Sequence, residues 1–351
     1  SVVWSFHHIL MDGWCLPLVT QEVFERYDAI QQGKTLTFQE VTPYKEYINW
    51  LENQDKQMAR AYWEEYLHGY EGQTVLPTSQ RKSDTHKPRI SEKLSYTLGA
   101  ELSQLIRDFA KQHHVTVNTF FQTVWGILLQ RYSNNDDVVF GGVVSGRPSH
   151  IHGIESMIGL FINLIPVRVN GNADSLFINL LAKNQKSSIN SNDFSTFPLY
   201  EIQANTTQKQ DLITHIMIFE NYPLNQQMEN EAGDINKALS LKNVSVTEQT
   251  NYDLNVIVVP EIDEEVTFYF EYNSNVYNHI ILGKIWTNFV HVINQVTSNS
   301  NLLIQDIELL SEMEKQFIQS VSKGQSTDYP KDTPVYRLFE EQVKRTPTHP
   351  A

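Results

Sequence analysis

Two adjacent histidines near the start of the chain, His7 and His8, are followed by an aspartate and a glycine, Asp12 and Gly13. A neutral imidazole is the side chain best suited to accept a proton near pH 7. Asp12 can orient such a histidine or form a buried ion pair, and Gly13 can adopt a backbone angle that other residues resist. Taken alone, these residues favour a histidine base and a packed structural turn about equally.

The residues around this motif predict a strand that gives way to a helix. The apolar run from Val2 to Trp4 is typical of a buried strand, and residues 16–27 carry apolar side chains at helical spacing. Adjacent strand residues point to opposite faces, so only one of the two histidines can face a given cavity. Because the histidines point apart and no helical His-x-x-x-His pair accompanies them, we expect no metal site.

Composition excludes several classes of protein. The 351 residues include 27 Lys+Arg and 41 Asp+Glu, a formal net charge of −14 that argues against a nucleic-acid partner. No apolar stretch approaches the roughly 20 residues that cross a bilayer, so we expect no membrane association. The single cysteine, Cys15, excludes a disulfide framework and is typical of the reducing cytoplasm. We interpret it as a small buried side chain and not as a nucleophile.

The periodicity of the remaining chain predicts an α/β (α+β) protein with mixed sheets and flanking helices. A polar stretch rich in turn formers, residues 71–90, predicts a linker between two lobes. Helices are predicted within 42–70 and at 100–113, 117–132 and 280–296, and strands at 136–144, 159–163, 216–224, 252–259 and 266–273.

The pattern His-His-x-x-x-Asp-Gly resembles the core motif of condensation domains of non-ribosomal peptide synthetases, which are chloramphenicol-acetyltransferase-like proteins. Residues 158–169 resemble the Gly-x-Phe-x-Asn motif of these domains, and residues 216–224 end in their Asn-x-Pro pattern without its arginines. Residues 44–50 resemble their tyrosine-rich motif, which we interpret as a core-facing helical stripe without catalysis. Residues 333–343 resemble the entry segment of an adenylation domain.

The resemblance implies two acetyltransferase-like lobes facing each other across a channel. Residues 1–85 would be the C-terminal part of an incomplete first lobe, and residues 86–310 the second lobe. Residues 311–351 would be a linker and the start of the adenylation entry segment.

The resemblance also implies formation of an amide bond between a carrier-bound acyl or peptidyl thioester and the amine of a carrier-bound aminoacyl thioester. His8 would align the amine and accept its proton, as a true base or as a hydrogen-bonding positioner, while His7 and Asp12 hold it in place. The backbone near Gly13 would offer an oxyanion donor. The site-supporting residues would be Arg147, which pairs with Asp12 in this superfamily, together with Asn163, Asn221 and Trp14.

The expected partners are upstream and downstream peptidyl carrier domains and an adjacent adenylation domain. The domain itself would need no cofactor, because the phosphopantetheine belongs to the carriers. Two alternatives stay open: a related acyltransferase that forms an ester, and a non-catalytic recruitment module of the same fold. The intact histidine motif argues against the recruitment module, since a docking surface does not need it.

Overall fold

The computed structural model describes residues 3–35, 40–79, 88–220, 250–260, 265–324, 328 and 330–348. The chain divides into two compact units, Ser1–Leu309 and Leu310–Ala351. None of the described helices is long and apolar enough to cross a membrane. The predicted division of residues 1–310 into two lobes stays a prediction.

The described part of the first unit holds eight α-helices and six strands. The helices are α1 Cys15–Gln31, α2 Tyr44–Glu52, α3 Lys56–Leu67, α4 Ala100–Gln112, α5 Val117–Ser133, α6 Phe177–Asp193, α7 Leu199–Ala204 and α8 His279–Ser298. The strands are β1 Ser91–Thr97, β2 Asp137–Val144, β3 Asn163–Asn170, β4 Ile216–Phe219, β5 Leu254–Pro260 and β6 Val266–Asn273.

The six strands form one mixed sheet in the order β1-β6-β5-β4-β2-β3. Strand β4 pairs in parallel with β2 and with β5, whereas the other neighbours pair antiparallel. Alternate residues of β2 enter opposite cores: Val138 and Phe140 pack with α4, α5, α6 and α8, and Val139 packs with α3. Helices thus flank both faces of the sheet, and the predicted α/β class is confirmed.

Three local predictions differ from the structure. Residues 3–7 form no strand, since none of the described strands pairs with them, and the side chains of Val3 and Trp4 are 94% and 50% exposed. The predicted linker is in part a packed segment, since Thr74 and Leu76 are buried and the Thr74 hydroxyl accepts a hydrogen bond from Val139 N. Residues 158–162 are not strand, because backbone groups of this segment form hydrogen bonds with Asp12.

The second unit, predicted as a linker and entry segment, contains two described helices, α9 Glu312–Ser322 and α10 Val335–Arg345. Helix α9 begins with a capping box in which Ser311 and Glu314 each bond the backbone of the other. The Ser-x-x-Glu pattern of the sequence is typical of such a cap, so the start of this helix could be predicted from the sequence. Whether α10 enters an adenylation domain stays a prediction.

A histidine without a catalytic motif, His215, lies fully buried directly before β4. Its Nε2 accepts a hydrogen bond from Trp125 Nε1 at 2.9 Å, and its Nδ1 lies 3.2 Å from the Thr214 hydroxyl. The bond from Trp125 requires an unprotonated Nε2, and burial lowers the pKa of His215 from 6.5 to about 3. This imidazole is therefore a neutral part of the core.

We predict that His215 makes the fold less stable in acid. Below pH 6.5 the unfolded chain binds a proton that the folded chain refuses until about pH 3, so the free energy of unfolding falls as the pH falls through that window. At pH 5 the loss is roughly 2 kcal/mol relative to pH 7.5. Urea unfolding at both pH values measures it, and His215→Gln should flatten the dependence. The exposed His279 provides the control variant, His279→Gln; equal slopes for all three proteins would contradict the assignment.

Candidate active site

The histidine motif lies in a turn that leads directly into α1. His7 is exposed and His8 is half-buried, and the turn is closed by a hydrogen bond from Leu10 N to His7 O at 3.0 Å. The Nδ1 atom of His7 accepts from Ile9 N at 3.1 Å, so this ring supports the local backbone. The ring of His8 lies edge-on to Phe6, with centroids 6.1 Å apart. The two histidines therefore differ in exposure, and they lie in a turn and not in the predicted strand.

Asp12 is the best-satisfied polar side chain of the motif. It is fully buried, and its Oδ2 accepts hydrogen bonds from Phe161 N at 2.9 Å and Ile162 N at 3.3 Å. Its backbone N donates to Gly159 O at 3.2 Å. These contacts explain why residues 158–162 are not strand: their backbone groups bind Asp12 and are not available for a sheet ladder.

The structure brings Arg147 to the same carboxylate. Its Nη2 lies 3.5 Å from Asp12 Oδ1, and the arginine side chain is only 3% exposed. The guanidinium also donates to the carbonyls of Ile154 at 2.5 Å and Met157 at 3.1 Å, and it lies 3.9 Å from the ring centroid of Phe161. A buried charge pair of this kind depends on such additional partners, because the ion pair alone does not offset the loss of hydration.

Cys15 completes this cluster in a way that the sequence did not suggest. Its sulfur lies 3.5 Å from Asp12 Oδ1, and it is 3.4 Å from both Arg147 Nη2 and Gly159 N. Burial, with the nearby charge of Asp12 as a smaller cause, raises the pKa of the thiol. A buried neutral thiol is a poor nucleophile, and here it fills the space between the acid and the guanidinium.

Gly146 allows the close approach that places Arg147. Its φ of +61° lies in the left-handed region, and a Cβ built there would stand 1.8 Å from Phe161 O. Gly13 is not among the described glycines with a positive φ, and its expected conformational role stays a prediction. Its carbonyl accepts from Leu16 N at 3.2 Å and so helps to begin α1.

The remaining supporting residues lie at different distances from this cluster. Trp14 is half-buried and, with Arg147 and Ile162, lines a cleft of about 940 Å³ that continues along β3 and α6. Asn163 does not contact Asp12: its Nδ2 donates to Ser195 O and Phe197 O, which fixes the start of β3 to the loop before α7. Asn221 lies outside the described residues.

The arginine of the 158–169 motif, Arg168, has a structural partner. It forms a bidentate pair with Asp137, with Nη2 2.6 Å and Nε 2.9 Å from the carboxylate oxygens, and it donates to Tyr66 O and His68 O at the end of α3. The hydrogen bonds that Arg168 donates to Asp137 raise the pKa of the arginine above its usual value. This arginine therefore joins α3 to β2 and β3.

Comparisons with known proteins agree on one family. Residues 1–319 match the family described as Condensation domain. The chain is 49% identical over 346 residues to one of the subunits of mycosubtilin synthase from Bacillus subtilis, covering 99% of this chain and 13% of that protein. The chain therefore spans about an eighth of the length of this relative.

Two solved structures share the fold at low identity. A four-domain non-ribosomal peptide synthetase bound to AMP and glycine matches with a TM-score of 0.70 and 16% identity, over 97% of this chain and 26% of that one. The first condensation domain of the CDA synthetase matches with a TM-score of 0.63 and 17% identity, over 87% of this chain and 65% of that one. The expected acetyltransferase-like fold is confirmed by these neighbours.

We predict that removing the Asp12 carboxylate is strongly destabilising. The variant Asp12→Ala leaves the Arg147 guanidinium buried without its acid and two backbone N–H groups without an acceptor, which costs roughly 3–5 kcal/mol. Equilibrium urea unfolding measures the change.

The control for this prediction is Glu201→Gln. This variant breaks an ion pair in which Arg60 Nη2 lies 2.7 Å from Glu201 Oε2, and the arginine side chain is 51% exposed. An exposed pair contributes about 1 kcal/mol or less, so this variant should unfold close to the wild type. If Asp12→Ala also unfolds like the wild type, the buried pair does not hold the loop.

Proposed function

This chain belongs to the condensation-domain family, and from that premise we propose that it joins a carrier-bound acyl or peptidyl thioester to the amine of a carrier-bound aminoacyl thioester. Condensation domains of non-ribosomal peptide synthetases catalyse the formation of this peptide bond. The observation that carries the proposal for this chain is the fully buried Asp12, which is held by Arg147 and by Phe161 N and so fixes the loop that carries His8.

In the proposed reaction, the amine nitrogen attacks the thioester carbonyl carbon and a tetrahedral oxyanion forms. The C–S bond then breaks, and the chain is transferred to the amine while the pantetheine sulfur leaves. His8 accepts the amine proton and can return it to the leaving sulfur, so the proton count balances. The thioester is already activated, so no protein nucleophile is required. This agrees with the burial of Cys15.

The other motif residues would position His8 and bind substrate. His7 supports the turn through its bond from Ile9 N, and the backbone near Gly13 would donate to the oxyanion. The cleft beside Trp14 and Arg147 has a volume of about 940 Å³, which is large enough for an extended acyl chain.

The proposed partners are upstream and downstream carrier domains and an adjacent adenylation domain. Condensation domains of multidomain synthetases work with carrier and adenylation domains, and one matched structure is a four-domain synthetase. Phosphopantetheine would enter as the substrate arm of each carrier, and the domain would need neither a cofactor of its own nor a metal. We also propose a cytoplasmic location, which the single buried cysteine supports.

We predict that His8→Ala abolishes amide formation while leaving the fold intact. Loss of a proton acceptor lowers kcat by roughly 10²–10⁴-fold, and a half-buried side chain leaves no large cavity when it is truncated. Product formation is measured with loaded donor and acceptor carriers, in the full-length protein, alongside thermal unfolding.

The matched control is His279→Ala, which removes an exposed histidine at the first position of α8 and should turn over normally. Equal rates for His8→Ala and the wild type would refute the role of His8. Offering an alcohol acceptor beside the amine separates amide formation from ester formation, and a wild type active with neither would favour the recruitment module.

A further inference from the structure

The tyrosine-rich helix α2 contacts the same backbone segment that binds Asp12. Tyr44, the first residue of α2, donates its hydroxyl to Leu160 O at 2.5 Å. Its ring lies edge-on to Phe161, with centroids 5.1 Å apart, and Tyr47 packs on the same phenylalanine at 4.7 Å. Tyr44 therefore holds this segment at two consecutive residues, Leu160 by a hydrogen bond and Phe161 by ring packing.

Gly159 lets the tyrosine ring approach this closely. A Cβ built on the buried Gly159 would stand 2.2 Å from a carbon of the Tyr44 ring, so any larger residue would displace one of the two. The carbonyl of Gly159 accepts from Asp12 N, and its N–H lies 3.4 Å from the sulfur of Cys15. The ring of Tyr44 and the loop of Asp12 thus meet on the same glycine.

The contacts form a short chain from α2 to the histidine motif. Tyr44 fixes Gly159, Leu160 and Phe161, and the backbone of Gly159 and Phe161 fixes Asp12. We propose that Tyr44 is a positioning residue of the condensation reaction, which acts through residues 159–161 on Asp12 and so on the loop that carries His8. This inference rests on the proposed function and assigns a role to a residue outside the histidine motif.

The role is positional because Tyr44 keeps its proton. Burial, with the charge of Asp12 as the next cause, raises the pKa of Tyr44 above 10. At neutral pH the hydroxyl is therefore a neutral donor, and its proton is directed to Leu160 O, not to a substrate. The pH dependence of kcat should keep its shape when the hydroxyl is removed, and only its height should fall.

The test compares Tyr44→Phe and Tyr44→Leu with the wild type in the full-length protein, using loaded carriers. Loss of one hydrogen bond to the segment should lower kcat about three- to tenfold and leave KM unchanged. Tyr44→Leu removes the ring as well as the hydroxyl, so its kcat should be lower than that of Tyr44→Phe, which keeps the ring.

A second measurement does not depend on turnover. Amide hydrogen exchange at Phe161 and Ile162, whose N–H groups donate to Asp12, should be faster in Tyr44→Phe than in the wild type. The matched control is Tyr132→Phe, which removes a half-buried tyrosine hydroxyl that accepts a hydrogen bond from Asn288 Nδ2 at 2.9 Å, away from the cleft. This control should change neither kcat nor exchange at Phe161 and Ile162.

The outcomes separate the inference from the function on which it rests. A wild-type protein that forms no amide contradicts the proposed function, whatever the exchange rates are. An active wild type with an unchanged kcat in Tyr44→Phe overturns the positioning role. Unchanged exchange at Phe161 and Ile162 overturns it as well, as does a loss that appears only in KM.

Discussion

A carboxylate without water depends on the protein for every hydrogen bond, and Asp12 is fully buried. Leaving such a charge unpaired costs several kcal/mol, so the surrounding chain must supply donors in fixed positions. Two of these are backbone N–H groups 149 and 150 residues further along the chain, at Phe161 and Ile162. The need to satisfy one acid therefore determines the path of a distant segment and prevents it from joining the sheet before Asn163.

The same constraint accounts for the residues that surround the acid. Arg147 supplies the opposite charge, and its Nη1 donates to the carbonyls of Ile154 and Met157. Because Phe161 O lies against the backbone just before the arginine, position 146 has room only for a glycine. The Ser-Gly-Arg exit of β2 is thus a steric consequence of the Asp12 contacts as well as a turn signal.

Sequence patterns predicted most of the second half of the fold because hydrophobic periodicity determines it. Helices α4, α5 and α8 and strands β2, β5 and β6 lie where the apolar spacing indicated. The predictions are wrong where tertiary contacts, and not local periodicity, determine the secondary structure. Val3 and Trp4 have the composition of a strand, but none of the strands in the described part of the chain pairs with them. Residues 158–162 are apolar enough for a strand, and no local pattern shows that their amides bind a carboxylate.

The pairing of Asp12 with Arg147 was expected only from the resemblance, whereas Cys15 and Tyr44 were missed at the site. Each was assigned to the core because of its apolar neighbours, and each does pack there. What periodicity does not report is the direction of the polar atom. The sulfur of Cys15 and the hydroxyl of Tyr44 both reach residues 159–160, and such contacts exist only once the chain has folded.

These contacts also occupy both oxygens of the Asp12 carboxylate. The Oδ2 atom of Asp12 accepts from two backbone amides, and Oδ1 faces the guanidinium of Arg147 and the thiol of Cys15. Both oxygens of this buried carboxylate are therefore occupied by groups of the protein, and neither is directed to a substrate. Asp12 is therefore placed as an anchor for the loop, and the proton transfer that we propose for this site is assigned to His8, half-buried four residues earlier.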